Sequence, residues 1–175
     1  MGDIVYYKRS ILLWRIIMNL SELRAELEID EGVKYEVYLD HLGCPTFGIG
    51  HLITFEDDEY GMSVGEEVSA RRVQEVFEAD VLSVIRDCHS LYNGLENFDR
   101  LPEEVQLIVA NMMFNLGYIR LSKFKQMKRA VDAQDWNKAA DEMVDSLWYR
   151  QVTNRAERLV QRMRKVRTVN VIFME

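Results

Sequence analysis

The sequence predicts an α+β fold in three parts: a small lobe carrying an antiparallel sheet, a long connecting helix and a helical lobe. Three observations lead there. Apolar residues alternate with a period of two through "KYEVYLD", residues 34–40. From about residue 66 onward they recur at the helical period of 3.6. The two prolines and nine glycines fall mostly at the breaks between these patterns.

Residues 1–17 come first. The stretch "KRSILLWRIIMNL" has a basic start and an apolar run, but Arg15 interrupts the run and no small-residue cleavage site follows. It also falls short of the roughly 20 apolar residues that span a bilayer. Neither a signal peptide nor stable membrane insertion is expected, and Met18 reads as the natural start, with 1–17 an upstream extension. In "LSELRAELEIDEG" Leu20, Leu23 and Leu27 share one helical face, with Ser21 as N-cap and Gly32 as stop, so a helix is expected over 20–31. A sheet lobe of about 32–65 follows. Its first strand places Tyr35, Val37 and Leu39 on one half-buried side. "HLG" makes the turn, and "PTFGIGHLIT" supplies two further short strands.

Val73, Phe77, Val81, Val84, Ile85, Cys88 and Leu91 then form the stripe of a connecting helix over about 66–91. The helical lobe, about 92–167, is expected to pack with the 20–31 helix into a single domain over 18–175. Pro102, Glu103 and Glu104 open its central helix, and Gly117 closes it. "VQLIVANMMFNL" is apolar nearly all round, which makes Leu107, Ile108, Met112, Met113 and Phe114 core. Shorter helices are expected from Ser122, from Asp135 and from about Asn154 to Val166.

The 175 residues, 48% apolar and 29% charged, suffice for one well-filled core or two small lobes sharing a helix. A net charge of −7 argues against nucleic acid as a partner, since that affinity comes mostly from neutralising phosphates. The charge is uneven. Over 146–167 stand Arg150, Arg155, Arg158, Arg162, Arg164, Lys165 and Arg167 against Glu157 alone, which reads as a solvated face or as a surface for an anionic polymer. Two cysteines, Cys44 and Cys88, make no disulfide framework and read as free thiols or one bridge. No His, Cys and carboxylate cluster has metal-ligand spacing, so neither metal nor cofactor is expected.

Glu31, Asp40 and Thr46 could carry chemistry. Glu31 ends a helix, Asp40 ends a strand before a turn, and Thr46 lies on the returning strand. Glycosidic hydrolysis needs a carboxylic acid to protonate the leaving oxygen and a second carboxylate to attack carbon or activate water. Acids on the rims of adjacent elements can face one another across a cleft, with a hydroxyl holding water between them. The same residues also fit a helix end and a turn with no further role.

"IDEG", "VYLD" and "GCPTFGIGHLIT" resemble the signature of the T-even phage lysozymes, glycoside hydrolase family 24. "FEADV" is similar to that family's middle helix, "ANMMFNLG" to its buried central helix, and "DWNKAADEMVDSLWYRQVTNRAERL" to its penultimate helices. The resemblance covers about 19–165 in the right order and spacing, and implies the two-lobe lysozyme fold.

It also implies roles. Glu31 would be the general acid, Asp40 the carboxylate that activates water and stabilises the oxocarbenium-like transition state, and Thr46 the residue that positions the water, giving inversion. The substrate would be the β-1,4 bond between N-acetylmuramic acid and N-acetylglucosamine in bacterial peptidoglycan. Arg155 would reach Glu31 and orient its carboxyl. His51 would pair with Asp80 and tie the sheet to the connecting helix, a structural task. Gly48, Ile49 and Asn115 would contact substrate, the glycines Gly48 and Gly50 admitting a sugar chain close to backbone. Trp148 and Tyr149 fit core packing or a sugar-stacking platform. The chain departs from the family pattern in its acidic net charge, in Cys44–Pro45 before the threonine, in Asn115 where glutamine is usual and in Thr153 where proline is common.

The expected role is therefore that of a monomeric endolysin, held in the host cytoplasm until a holin opens the way to the periplasmic wall. A virion-borne wall-opening enzyme is a second placement of the same chemistry. A lysozyme-like module that binds peptidoglycan or a partner without cutting is the rival.

Overall fold

The structure, a computed structural model, describes residues 18–40 and 42–167. The upstream extension 1–17 and the tail "TVNVIFME" lie outside them. The chain divides into two compact units, one of Ser21–Asp87 and one of the residues up to Leu20 and from Cys88 onward. Helices and a small sheet together make the fold α+β.

The first unit begins with helix α1 (Leu20–Glu31), whose Leu23 and Leu27 are fully buried. The helix already includes Ser21, so that residue is not its cap. Gly32 stops it as expected, at φ 73°, with its N–H donating to the carbonyl of Glu28 at 3.0 Å, a left-handed closing turn. Strands β1 (Lys34–Leu39), β2 (Pro45–Gly48) and β3 (His51–Leu52) follow as an antiparallel sheet in that order.

Only Val37 of β1 is buried. Tyr35 and Leu39 are about half exposed, contrary to the alternation. The register shifts between Lys34 and Tyr38, and the core holds one side chain of this strand, Val37, packed with Phe47, Val68, Val73 and Val76. The far side of β1 is also paired. Val37 N–H donates to Glu66 O at 2.9 Å, and Gly65 and Val68 N–H donate back to Val37 O and Tyr35 O at 2.8 Å. That pairing ties 65–68 to the edge of β1, so helix α2 (Ala70–Leu91) starts at Ala70 rather than near 66. An Arg24–Glu78 ion pair joins α1 to α2.

The second unit carries helices α3 (Leu95–Phe98), α4 (Glu103–Leu121), α5 (Lys125–Asp132), α6 (Trp136–Val144), α7 (Leu147–Gln151) and α8 (Thr153–Lys165). Helix α4 is buried continuously from Val105 to Met113, so burial rather than amphipathic patterning stabilises it, at about 1.5–3 kcal/mol for each large side chain. Phe114 is only half-buried. Gly117, at φ 69° and ψ 165°, interrupts α4 instead of ending it, and a short turn continues to Leu121. Helix α6 packs on α5 and α8. The basic face of α8 is partly neutralised inside this unit, Arg162 by Glu104 at 2.5 Å and Arg164 by Asp141 at 3.1 Å. Both cysteines are free thiols. Among the described residues no helix is long and apolar enough to cross a membrane.

Candidate active site

Glu31, Asp40 and Thr46 all belong to the sheet-bearing unit. Glu31 is the last residue of α1, released from the helix by the left-handed Gly32. Its carboxyl lies over the turn between β2 and β3: a methyl group added to Gly50 would sit 3.6 Å from Glu31 Oε2. Asp40 follows β1. Its Oδ1 accepts the backbone N–H of Leu42 and of Cys44, each at 2.8 Å, while its own N–H donates to Cys44 O at 2.9 Å. An Asx turn thus fixes both the carboxyl and the loop. Thr46, 4% exposed, donates its hydroxyl hydrogen to Cys44 O at 3.0 Å. Its oxygen lone pairs remain to accept.

Tyr38 relates these groups to one another. Burial first, then the negative charges of Glu31 and Asp40, push its phenol above the usual 10. Tyr38 is also the cross-strand partner of Thr46. The same unit thus offers two carboxyl groups and a hydroxyl with lone pairs to accept, on a helix end, a turn and a strand of one three-stranded sheet.

His51 lies elsewhere in the same unit. Its Nδ1 is 2.9 Å from Asp80 Oδ2 and its Nε2 3.2 Å from Asp57 Oδ1. The network continues through Arg72, which approaches Asp57 at 3.6 Å and grips Glu59 with two hydrogen bonds of 2.8 and 2.9 Å. Ring burial favours neutral histidine, but the hydrogen bond and charge of Asp80, then those of Asp57, overcome it and raise the pKa above 6.5. Asp57 is depressed: its desolvation is outweighed by hydrogen bonds from Thr54 and by His51.

The remaining candidates behave differently. Gly48 is packed on α2, since a methyl group there would meet Val73 Cγ1 at 3.2 Å. The Ile49 side chain is 4% exposed and belongs to the core, so any sugar contact it makes is through backbone. Asn115 and Arg155 stand in the helical unit. Asn115 Oδ1 accepts Trp148 Nε1–H at 2.9 Å, which leaves its NH2 end to offer a ligand. That bond, 3% exposure and an edge contact with Phe124 make Trp148 core rather than platform. Arg155, 8% exposed, is held by Asn111 through Nε to Oδ1 at 2.8 Å and Nη2 to the carbonyl at 3.0 Å.

Sequence reasoning missed Tyr38, Asn111, Asp57, Arg72 and Glu59. Tyr38 had a local signal, since it stands on β1 two residues before Asp40. The other four carry no local signal.

Comparison with known proteins gives a consistent result. Residues 28–166 match the family model described as phage lysozyme. The chain is 31% identical over 157 residues to a probable T4-type lysozyme 2 of Dictyostelium discoideum, covering 81% of this chain and 92% of that one. A probable T4-type lysozyme 1 of the same organism is 28% identical with the same coverage. The pre-baseplate central spike protein Gp5 of Enterobacteria phage T4 is 32% identical over 81% of this chain, which spans 27% of that protein.

Proposed function

The chain belongs to the phage lysozyme family and is a lysozyme, a peptidoglycan hydrolase; from that premise we propose that it cuts the β-1,4 bond between N-acetylmuramic acid and N-acetylglucosamine with inversion. Glu31 protonates the leaving oxygen. Asp40, its orientation fixed by two backbone N–H groups, takes a proton from water on the opposite face of the sugar and stabilises the positive charge developing at carbon. The same water donates its other hydrogen to Thr46, whose own hydrogen is engaged by Cys44 O. A lone pair of the water is thereby aimed at carbon. His51 with Asp80 braces the hairpin, and Gly48 and Ile49 contact the glycan. The single observation supporting this reading most is the hairpin's own bonding, in which Asp40 Oδ1 accepts Cys44 N–H and Thr46 donates to Cys44 O, so that the carboxyl and the hydroxyl are held on one residue.

In a phage infection the protein gathers in the host cytoplasm and reaches the wall after a holin opens the membrane. The Gp5 relative favours a second placement, on a virion, with the same chemistry. Turbidity of chloroform-treated Gram-negative cells tests the enzyme: wild type clears the suspension, while Glu31→Gln binds walls and clears nothing. Binding without clearing by wild type would identify a non-catalytic module. NMR of the first-formed anomer tests inversion, and a β product contradicts the role given to Asp40.

A further inference from the structure

The net charge of −7 is not shared evenly between the two units. Ser21–Asp87 carries 17 Asp and Glu against 5 Lys and Arg, whereas 88–167 carries 14 Lys and Arg against 10 Asp and Glu. Five of those cations, Arg120, Lys123, Lys125, Lys128 and Arg129, fall between Glu104 and Asp132, a stretch that contains no acid. Lys128 is neutralised, its Nζ pairing with Asp132 at 2.7 Å. Arg120, Lys123, Lys125 and Arg129 are exposed and enter no ion pair among the described residues.

The fold holds these four beside apolar surface. Gly117 breaks α4 at φ 69°, and the turn after it leaves Tyr118 and Ile119 40% and 75% exposed. Buried Leu121 fixes that turn, and buried Met127, Ala130 and Val131 fix α5. Backbone N–H groups of Ser122, Lys123 and Phe124 donate to the carbonyls of Tyr118, Arg120 and Leu121, which keeps the link to α5 tight. Lys125 and Arg129 share one face of α5, a helical turn apart. An apolar tip with a basic flank suits a membrane interface, where cations meet headgroup phosphates and the aliphatic group enters the acyl boundary. A hydrated glycan offers Ile119 nothing to bury against.

We propose that the 118–129 surface docks this protein on a bilayer carrying anionic phospholipid, Ile119 entering the interface and Arg120, Lys123, Lys125 and Arg129 contacting headgroup phosphates. The contact is peripheral, since no described helix is long and apolar enough to cross a membrane. It uses none of the residues assigned to hydrolysis and stands apart from that assignment. An acidic protein can bind an anionic surface in this way because salt screens charges beyond about 8–10 Å, so the local patch rather than the net charge governs the contact.

The test is co-sedimentation of the full chain with vesicles of phosphatidylcholine alone, and of phosphatidylcholine and phosphatidylglycerol in equal parts. Wild type should bind only the anionic vesicles, and less as salt rises. Lys125→Gln with Arg129→Gln should weaken binding roughly 20- to 30-fold, about fivefold for each cation. Ile119→Ser should weaken it roughly 5- to 20-fold, for partial insertion of one aliphatic side chain. Arg71→Gln, an exposed cation of the other unit, should leave vesicle binding unchanged. None of these variants should alter kcat/KM on soluble glycan strands. Wild type that ignores anionic vesicles, or binds neutral ones equally well, overturns the proposal. So does an Arg71→Gln loss as large per charge as that of the patch, or a fall in kcat/KM as large as the fall in vesicle binding. If the double variant loses binding to isolated peptidoglycan while vesicle binding stays intact, the surface belongs to the wall and the membrane assignment is overturned.

Discussion

The histidine clamp gives a stability prediction whose sign depends on pH. Asp80→Asn preserves size and leaves an acceptor for His51 Nδ1–H, but it removes the charge that favours the histidinium ion. His51 is titrated upward in the folded state, so its contribution is fully present below the unfolded pKa near 6.5 and disappears as pH rises through the folded value. Asp57 runs the other way: its pKa is depressed, so its contribution is present above the unfolded value near 4 and is lost as pH falls through the folded one. The clamp is therefore strongest between about pH 4 and 6.5. A hydrogen bond to a charged group contributes about 1.5–3 kcal/mol, and the side chain of Asp80 is 30% exposed, which reduces this to roughly 1–2 kcal/mol. For a chain of this size that is about 2–8 °C in melting temperature. Circular dichroism melts of wild type and Asp80→Asn at pH 5.5 and 8.5 check it. The variant should lose the full amount at pH 5.5 and about half or less at pH 8.5. An equal or greater loss at pH 8.5 would refute the reasoning, because the bond would then owe nothing to the ring's charge.

Two further outcomes follow from packing and charge. Gly48→Ala places a side chain at φ 63° and a methyl 3.2 Å from Val73 Cγ1, and should destabilise by about 1–3 kcal/mol in urea unfolding, more than Gly50→Ala, where the nearest atom is 3.6 Å away. Arg72→Met leaves Glu59, 5% exposed, without its guanidinium and should cost about 3 kcal/mol, with much of that loss restored in the double variant Arg72→Met, Glu59→Met.

Much of the site was legible because its parts are local in sequence. Glu31, Asp40 and Thr46 each sit at a boundary that short-range rules mark: a helix stopped by Gly32, a strand ending in an Asx turn, a strand returning from it. The apolar run of α4 likewise announces itself through composition. The misreadings came where partners are distant. Tyr35 and Leu39 obey the alternation but face outward, because residues 65–68 pair with the other side of β1 and the core takes only Val37 from this strand. That same pairing moved the start of α2 to Ala70.

By itself, then, the sequence determined the α+β order of elements, since helix stops, turns and apolar periods act over a few residues, while the proposed reacting groups were nominated by the resemblance to the phage lysozymes. Only the tertiary structure decided what surrounds the side chains: the Glu31 carboxyl by Gly50, Asn111 on Arg155, Asp57 and Arg72 extending the His51 pair. Hydrogen bonds and ion pairs are short-ranged in space but unrestricted along the chain, and residues as far apart as 111 and 155 acquire their relation only when the backbone brings them within 3 Å.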